Sequence, residues 1–262
     1  MQKDTVEVTA IIPALNEDDN IVPAVKNALS AFEESGINGE VIVINDGSRD
    51  RTAEKVMRLM REDKRISLIT HDKPQGIGAS FWDGVDASQG AVVVLLPGDN
   101  EVDPWEILRY FKLLEHVDIV IPFVFNKEVR SIYRNIVSTI YRIIVNSTFL
   151  VNFNYTNGTI LYRKSILKDF DFRSTGFFFQ TDILVRTVKK GYLFAEVPYR
   201  LGLRKGGVSK AVTFPSLLQV IRGYLLLVKD LYFVRSLKVS DTFNADSQTA
   251  ARKDNPPHKK IN

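Results

Sequence analysis

Three carboxylates, Asp99, Glu101 and Asp103, crowd the exit of an apolar run in the stretch VVVLLPGDNEVDP (92–104). Asp99 and Glu101 stand two apart on an irregular turn. If that turn curls, both converge on one cation, with phosphate oxygens and water completing its shell. The same turn also suits helix capping, because Asp103 before Pro104 reads as an N-cap followed by proline in the first turn. In INDGSRDRT (44–52), Asp46 follows an apolar run and precedes a glycine, a position where a carboxylate accepts hydrogen bonds from ribose hydroxyls or a base, or closes an Asx turn. In PALNE (13–17), Asn16 and Glu17 suit a place beside a base or ribose, or again a cap. QGIGAS (75–80) sets Gly76 and Gly78 in a loop open to close approach of a ligand to backbone.

Composition narrows the chemistry. The 262 residues include no cysteine, which excludes disulfides and thiolate metal sites. The histidines, His71, His116 and His258, lack ligand-like spacing, so zinc is not expected. A metal would sit on oxygen donors, which suits Mg2+ or Mn2+. A formal charge of +4 favours anionic partners, with no nucleic acid expected. The amino terminus, MQKDTVEVTAIIP, lacks the apolar run of a signal peptide. The longest apolar candidate, FPSLLQVIRGYLLLVKDLYF, is cut by Arg222 and Lys229. The expected location is therefore cytoplasmic, with no membrane span.

The elements that must position these residues follow from periodicity. Short β-branched runs recur at 6–12, 40–45, 65–70, 91–96 and 117–122. Helical periods lie between them, as in Ile21, Val25, Leu29 and Phe32. Strands apolar on both faces, alternating with helices, imply an α/β fold with a mostly parallel sheet covered on both sides. Ligands bind such sheets at the carboxyl ends of the strands, where the residues above fall. Beyond 122, a basic amphipathic helix is expected over about 128–149, with Arg130, Arg134 and Arg142 on one side and Ile132, Ile136, Ile140 and Ile143 on another. Either its apolar side lies in a lipid interface, or it is an ordinary surface helix packed on the core. FFFQTDILVRTVKKG reads as a helix capped by Gly191, and YLFAEVPYRLGLRKGGVSK as an extended run ending in a basic loop. One domain is expected over 1–240, with halves at about 6–122 and 123–212 and an amphipathic helical segment at about 213–236. Residues 241–262, polar and without periodicity, read as a disordered tail.

Taken in order, VTAIIPALNE, VIVINDGSRDRT, GIGAS, VVVLLPGDN, FFFQTD and EVPYRLGLRKGGVSK resemble the family 2 glycosyltransferases of the GT-A fold. Within that family the likeness is to the polyprenyl-phosphate (dolichyl-phosphate) mannosyl- and glucosyltransferases, over about residues 6–212. The resemblance implies a nucleotide-sugar pocket. Pro13, Leu15 and Glu17 match its first nucleotide loop, Asp46 matches the second acidic residue of "DDGS" with Asn45 in place of the first, and Gly76 and Gly78 match the glycine loop. Asp99 matches the last aspartate of the D-x-D metal motif, whose first position is Pro97 here, and Glu101 falls where a further metal contact is expected. Gln180 and Asp182 match the motif near the acceptor, and Arg204 and Lys210 match the basic loop over the donor diphosphate. Asn154 stands where the family more often has aspartate, and Thr159 where it has phenylalanine.

The implied reaction is inverting transfer of a hexose from a nucleotide-sugar to a polyprenyl phosphate at the cytoplasmic face of a membrane. Asp99 and Arg204 would serve the departing diphosphate, Asp182 would act as base toward a hydroxyl acceptor, and Arg130 and Arg134 would receive an acceptor phosphate. Extension of a glycan or glycolipid hydroxyl, and a non-catalytic nucleotide-binding relative, are the competing expectations. Nucleotidyltransferases are disfavoured because PALNE is not a glycine- and lysine-rich loop. A separate membrane protein partner is compatible with the chain.

Overall fold

The computed structural model describes residues 5–168, 170, 173–202, 214–234 and 242–254. A seven-stranded sheet forms the centre, in the order β3-β2-β1-β4-β6-β5-β7. The strands are β1 (Val8–Ala14), β2 (Gly39–Asn45), β3 (Ile66–Thr70), β4 (Val92–Leu95), β5 (Ile119–Val124), β6 (Leu161–Arg163) and β7 (Phe194–Tyr199). Strands β1 to β4 pair in parallel, as do β5 and β7, while β6 runs antiparallel between β4 and β5. The α/β expectation of a mostly parallel sheet is met, and the five apolar runs are the strands β1 to β5.

Helices cover both faces. On one face pack α1 (Ile21–Ser35), α2 (Thr52–Glu62) and α4 (Pro104–Leu108), against Val8, Ala10, Ile12, Val41 and Val43. On the other lie α3 (Ile77–Ala87), α5 (Ile132–Phe149), α6 (Lys164–Leu167), α7 (Phe179–Lys190) and α8 (Phe214–Lys229), against Ile11, Ile42, Ile44 and Ile121. Alternate side chains of one strand thus feed opposite cores, as the pleat requires. Helix α7 stops at Gly191, whose φ of +100° and backbone N–H to the Thr187 and Val188 carbonyls make the left-handed cap read from the sequence.

Register brings the strand exits to a common edge: Ala14 pairs with Asn45, and Asn45 with Thr70. The loops that follow, 15–20, 46–51, 71–76 and 96–103, therefore rise side by side.

The disordered tail expected for 241–262 is corrected over 242–254. That segment packs on the body and ends in α9 (Gln248–Asp254). Asp118, fully buried, accepts from Gln248 N (2.6 Å), Thr249 N (3.1 Å) and Thr249 Oγ1, and Phe243 stacks edge-on against Tyr192. Composition missed it because a few anchoring contacts to a distant strand, not an internal period, hold the segment in place.

Candidate functional site

A cleft of about 1370 Å³ opens over the strand exits. Its floor and walls come from Asn16 and Glu17 after β1, Pro97, Asp99, Asn100 and Glu101 after β4, and Gln180 of α7. Arg130, just before α5, and Arg134, in its first turn, line the same cleft, together with Tyr155, Asn157 and Tyr199. The cleft thus collects Asn16, Glu17, Asp99, Glu101, Gln180, Arg130 and Arg134 from among the residues singled out in the sequence.

The acidic corner has the curl its chemistry needs. Asp99 Oδ1 accepts from Glu101 N (3.1 Å), and Asn100 between them takes the left-handed conformation, φ +58°. Asn100 Oδ1 is in turn held by Asn27 Nδ2 of α1 at 3.0 Å. Asp103 caps α4 by accepting from Trp105 N (3.0 Å), so capping and cleft lining share one turn. Among the described residues no group of three or more His, Asp or Glu forms a closed metal cage. The donor set at Asp99 and Glu101 is all oxygen and lines the cleft. It fits Mg2+ or Mn2+ carried largely on phosphate oxygens and water.

On the opposite wall, Tyr199 is almost wholly buried. Burial pushes its phenol above the ordinary tyrosine range; Tyr155 and Glu101 add to the rise, while Arg130 and Arg134 oppose it. The phenol therefore lies within electrostatic reach of both the acidic corner and the arginine wall. The Arg130 guanidinium stands 5.4 Å from the Tyr155 ring centroid. Behind the cleft, Gln180 Nε2 donates to Gly158 O at 2.6 Å, and Thr181 Oγ1 to Asn157 Oδ1 at 3.2 Å. Tyr141, its hydroxyl pushed up to about 12 by burial, bonds to Thr181 Oγ1 at 2.8 Å. This network fixes Asn157 and Gly158, next to the buried Thr159.

Several expected roles are corrected. The carboxylate of Asp46, 5% exposed, is consumed by the chain itself. Its Oδ1 accepts from Gln75 N (2.7 Å) and pairs with His71 Nδ1 (2.7 Å), while Oδ2 accepts from Gly76 N (2.9 Å). His71 Nε2 reaches Asp83 Oδ2 at 2.9 Å, so a carboxylate–imidazole–carboxylate strut runs from β2 to α3. Asp46 organises the glycine loop and does not line the cleft. Gly76 and Gly78 are not bare for a ligand either. A Cβ on Gly76 would meet Thr175 O at 2.7 Å, and one on Gly78 would meet Ser174 O at 2.4 Å. The backbone that approaches them is the chain's own, and Ile77 between them is what reaches the cleft.

Asn45 stays beneath the surface, its Oδ1 accepting from Ser48 N (3.1 Å). Ser48 Oγ then takes the N–H of Asn16 (3.0 Å), which stitches the first two exit loops together. Pro13 and Leu15 shape the first loop without lining the cleft; the carbonyl of Pro13 lies where a Cβ on Gly98 would come within 2.8 Å.

Asp182 is corrected as a base. Two positions from Gln180 on one helix, it faces about 200° away and pairs with Arg186 Nε at 3.1 Å, which also contacts Asp230. Burial pushes its carboxyl upward, and Arg186 pulls against that. Arg204 and Lys210 lie outside the described residues. Sequence reading passed over His71, although it sits directly after β3 at a strand exit, and over Tyr155 and Tyr199, whose roles arise from packing that no local pattern signals.

The model of the family described as glycosyl transferase family 2 matches residues 9–171. This chain belongs to glycosyltransferase family 2. It is 32% identical over 111 residues to the dolichyl-phosphate beta-glucosyltransferase ALG5C of Trichomonas vaginalis, a match covering 40% of this chain and 33% of that protein. It is also 32% identical over 112 residues to the succinoglycan biosynthesis protein ExoO of Rhizobium meliloti, covering 43% and 30%. The chain thus spans about a third of the length of these curated relatives. Among solved structures it resembles glucosyl-3-phosphoglycerate synthase from Mycobacterium tuberculosis in complex with phosphoglyceric acid, with TM-score 0.66, 19% identity and coverage of 85% and 80%. A second structure of that synthase, with Mn2+, UDP-glucose and phosphoglyceric acid, gives TM-score 0.64 at 16% identity, covering 85% and 79%. The family match establishes membership of glycosyltransferase family 2, and these structural likenesses show the GT-A α/β fold.

Proposed function

We propose that this family 2 glycosyltransferase moves a hexose, with inversion, from a UDP- or GDP-linked donor to a polyprenyl phosphate at the cytoplasmic face of a membrane. The observation that carries the reading is the polarity of one cleft. Its β4 end offers Asp99 and Glu101, and its α5 end offers Arg130 and Arg134, which have no carboxylate partner among the described residues. A nucleotide diphosphate and an anionic acceptor are the ligands that such an arrangement accommodates side by side.

The outer side of α5 favours a lipid. Ile132, Ile136, Ile140 and Ile143 are all more than half exposed, as are Leu217, Leu218 and Leu225 of α8. The apolar side expected either to pack on the core or to meet lipid therefore faces outward, the mark of an interfacial helix. Among the described residues no helix is long and apolar enough to cross a membrane.

Charge development dictates the roles. Transfer builds positive charge at the anomeric carbon and negative charge on the departing diphosphate, so groups that meet the latter lower the barrier. A divalent cation, Mg2+ or Mn2+, supplies that positive charge when bound, and Asp99 and Glu101 would hold it. Arg204 and Lys210, which follow the cleft residue Gly202 in the sequence, would add to it. Arg130 and Arg134 would orient the acceptor phosphate for in-line attack. A phosphate is already ionised near neutral pH, so no base is required, in keeping with the absence of Asp182 from the cleft.

The test is transfer of labelled sugar from UDP- and GDP-hexoses to a detergent-dispersed polyprenyl phosphate. A glycolipid product that disappears with Arg130→Gln/Arg134→Gln supports the reading. Product only on a glycan or glycolipid hydroxyl, insensitive to those arginines, sinks it.

A further inference from the structure

A second, smaller cavity of about 240 Å³ lies beside the cleft, on the far side of Arg130. It shares Arg130 and Tyr155 with the cleft and adds Lys127, Arg142, Ser138, Thr139 and Asn154. We infer that this cavity is a separate phosphate-binding subsite, which takes a phosphate ester group other than the donor's and other than the one received in the cleft.

Three observations carry it. The first is charge: Lys127, Arg130 and Arg142 line one small space, no acidic residue lines it, and none of the three has a carboxylate partner among the described residues. Like charges gathered without counter-ions repel, and a bound anion relieves that cost. Glu196 is held just outside the lining, taking the N–H (2.6 Å) and donated Nδ2 hydrogen (2.8 Å) of Asn154. The second is a donor in waiting: Arg130 Nε is buried with no hydrogen-bond partner among the described residues, an unfavourable state that a ligand oxygen would relieve. The third is hydroxyl chemistry. Ser138 and Thr139 precede Arg142 by four and three residues, so they share its stripe on α5. Neither hydroxyl has a partner among the described residues, and both can donate to phosphate oxygens.

Placement narrows the source. The stripe runs along the edge of the exposed Ile136, Ile140 and Ile143 side of the same helix. A phosphate entering from that side arrives at the head of a lipid chain; one entering through the cleft arrives free in water. Both carry the same oxyanion, and the experiment separates them. The inference rests on the membrane-surface part of the proposed function only for the lipid source, not for phosphate binding itself.

The full chain is titrated with inorganic phosphate and with glycerol 3-phosphate by calorimetry. In parallel it is sedimented with vesicles of phosphatidylcholine, with or without phosphatidylglycerol. Lys127→Gln/Arg142→Gln is compared with Lys64→Gln/Lys112→Gln, which removes the same charge from exposed sites elsewhere. For a lipid source, the cavity variant lowers binding to anionic vesicles roughly thirty-fold, the weight of two cations at an anionic surface. The control then falls by far less, and binding to neutral vesicles is unchanged in both. For a free source, wild type binds the soluble phosphates and the cavity variant does not. Thr139→Glu, which places a carboxylate among the cations, reproduces whichever loss is seen. Equal behaviour of the cavity and control variants in both arms overturns the subsite. Neither arm requires donor or turnover, so a subsite established or overturned in this way stays so even if glycosyl transfer to a lipid phosphate fails.

Discussion

Asp46→Asn separates the two roles open to this residue, because the side chains are isosteric and only the acceptor count changes. In the native chain three donors converge on the carboxylate: the Gln75 and Gly76 N–H groups and His71 Nδ1, at 2.7, 2.9 and 2.7 Å. Whichever way an asparagine amide turns, its NH2 faces at least one of them. One orientation strands Gly76 N–H; the other strands Gln75 N–H and the imidazole. Hydrogen bonds to a charged group are worth about 1.5–3 kcal/mol, and an orphaned buried donor costs about 1–3 kcal/mol more. The expected loss is roughly 3–5 kcal/mol, with a fall in Tm on the order of 10 °C. Urea denaturation followed by tryptophan fluorescence reads it directly, since Trp82 lies in α3, the helix that the strut braces. Donor binding weakens as a by-product of the displaced loop. A variant as stable as wild type to within about 1 kcal/mol, yet more than about tenfold weaker for nucleotide, would refute the reasoning. Asp46 would then touch the ligand, as its sequence position first indicated.

Other outcomes follow from the same geometry. Asp99→Asn should lower kcat by about 10²–10³-fold with an unchanged melting curve, and chelation of divalent ions should abolish turnover in wild type. Gly78→Ala, whose Cβ would meet Ser174 O at 2.4 Å, should cost about 1–3 kcal/mol in denaturant titration, since backbone must yield. Asp182→Asn should leave transfer within a few-fold of wild type while altering stability through Arg186. Because the folded carboxyl stands above its ordinary value, it takes up a proton on folding. Its contribution is therefore present at low pH and fades as pH rises from the ordinary carboxylate range through the folded value. Stability curves against pH should flatten in that window in the variant. Ile136→Glu/Ile140→Glu should abolish vesicle sedimentation and shift stability by less than about 0.5 kcal/mol, as both side chains face outward.

Legibility in the sequence followed the range of the interactions involved. Strands β1, β2, β4 and β5 were readable because each is a β-branched run buried on both faces, a purely local signal, and β3, at the sheet edge and only partly buried, was readable from its β-branched residues. The acidic corner was readable for the same reason, since Asp99, Asn100 and Glu101 bond within one turn. β6 was not, because three residues pairing antiparallel with Val92–Val94 leave no periodicity of their own. The parts played by Asp46 and the glycines were misread through long-range partners: His71 lies 25 residues from Asp46, and Thr175 nearly a hundred from Gly78. Asp182 was misassigned because motif position says that a residue is near a site, whereas helical phase decides whether it faces it.

The clamp of Gln248 and Thr249 on Asp118 also has a bearing on time. Those partners are separated by about 130 residues of chain, so Asp118, at the start of β5, can meet Arg163 (3.6 Å) well before the N–H groups of Gln248 and Thr249 have been made. Until then a side chain destined for full burial lacks the three hydrogen bonds that Gln248 and Thr249 donate to it. During synthesis the first four strands can settle early, and docking of 242–254 comes only after all seven strands have been made.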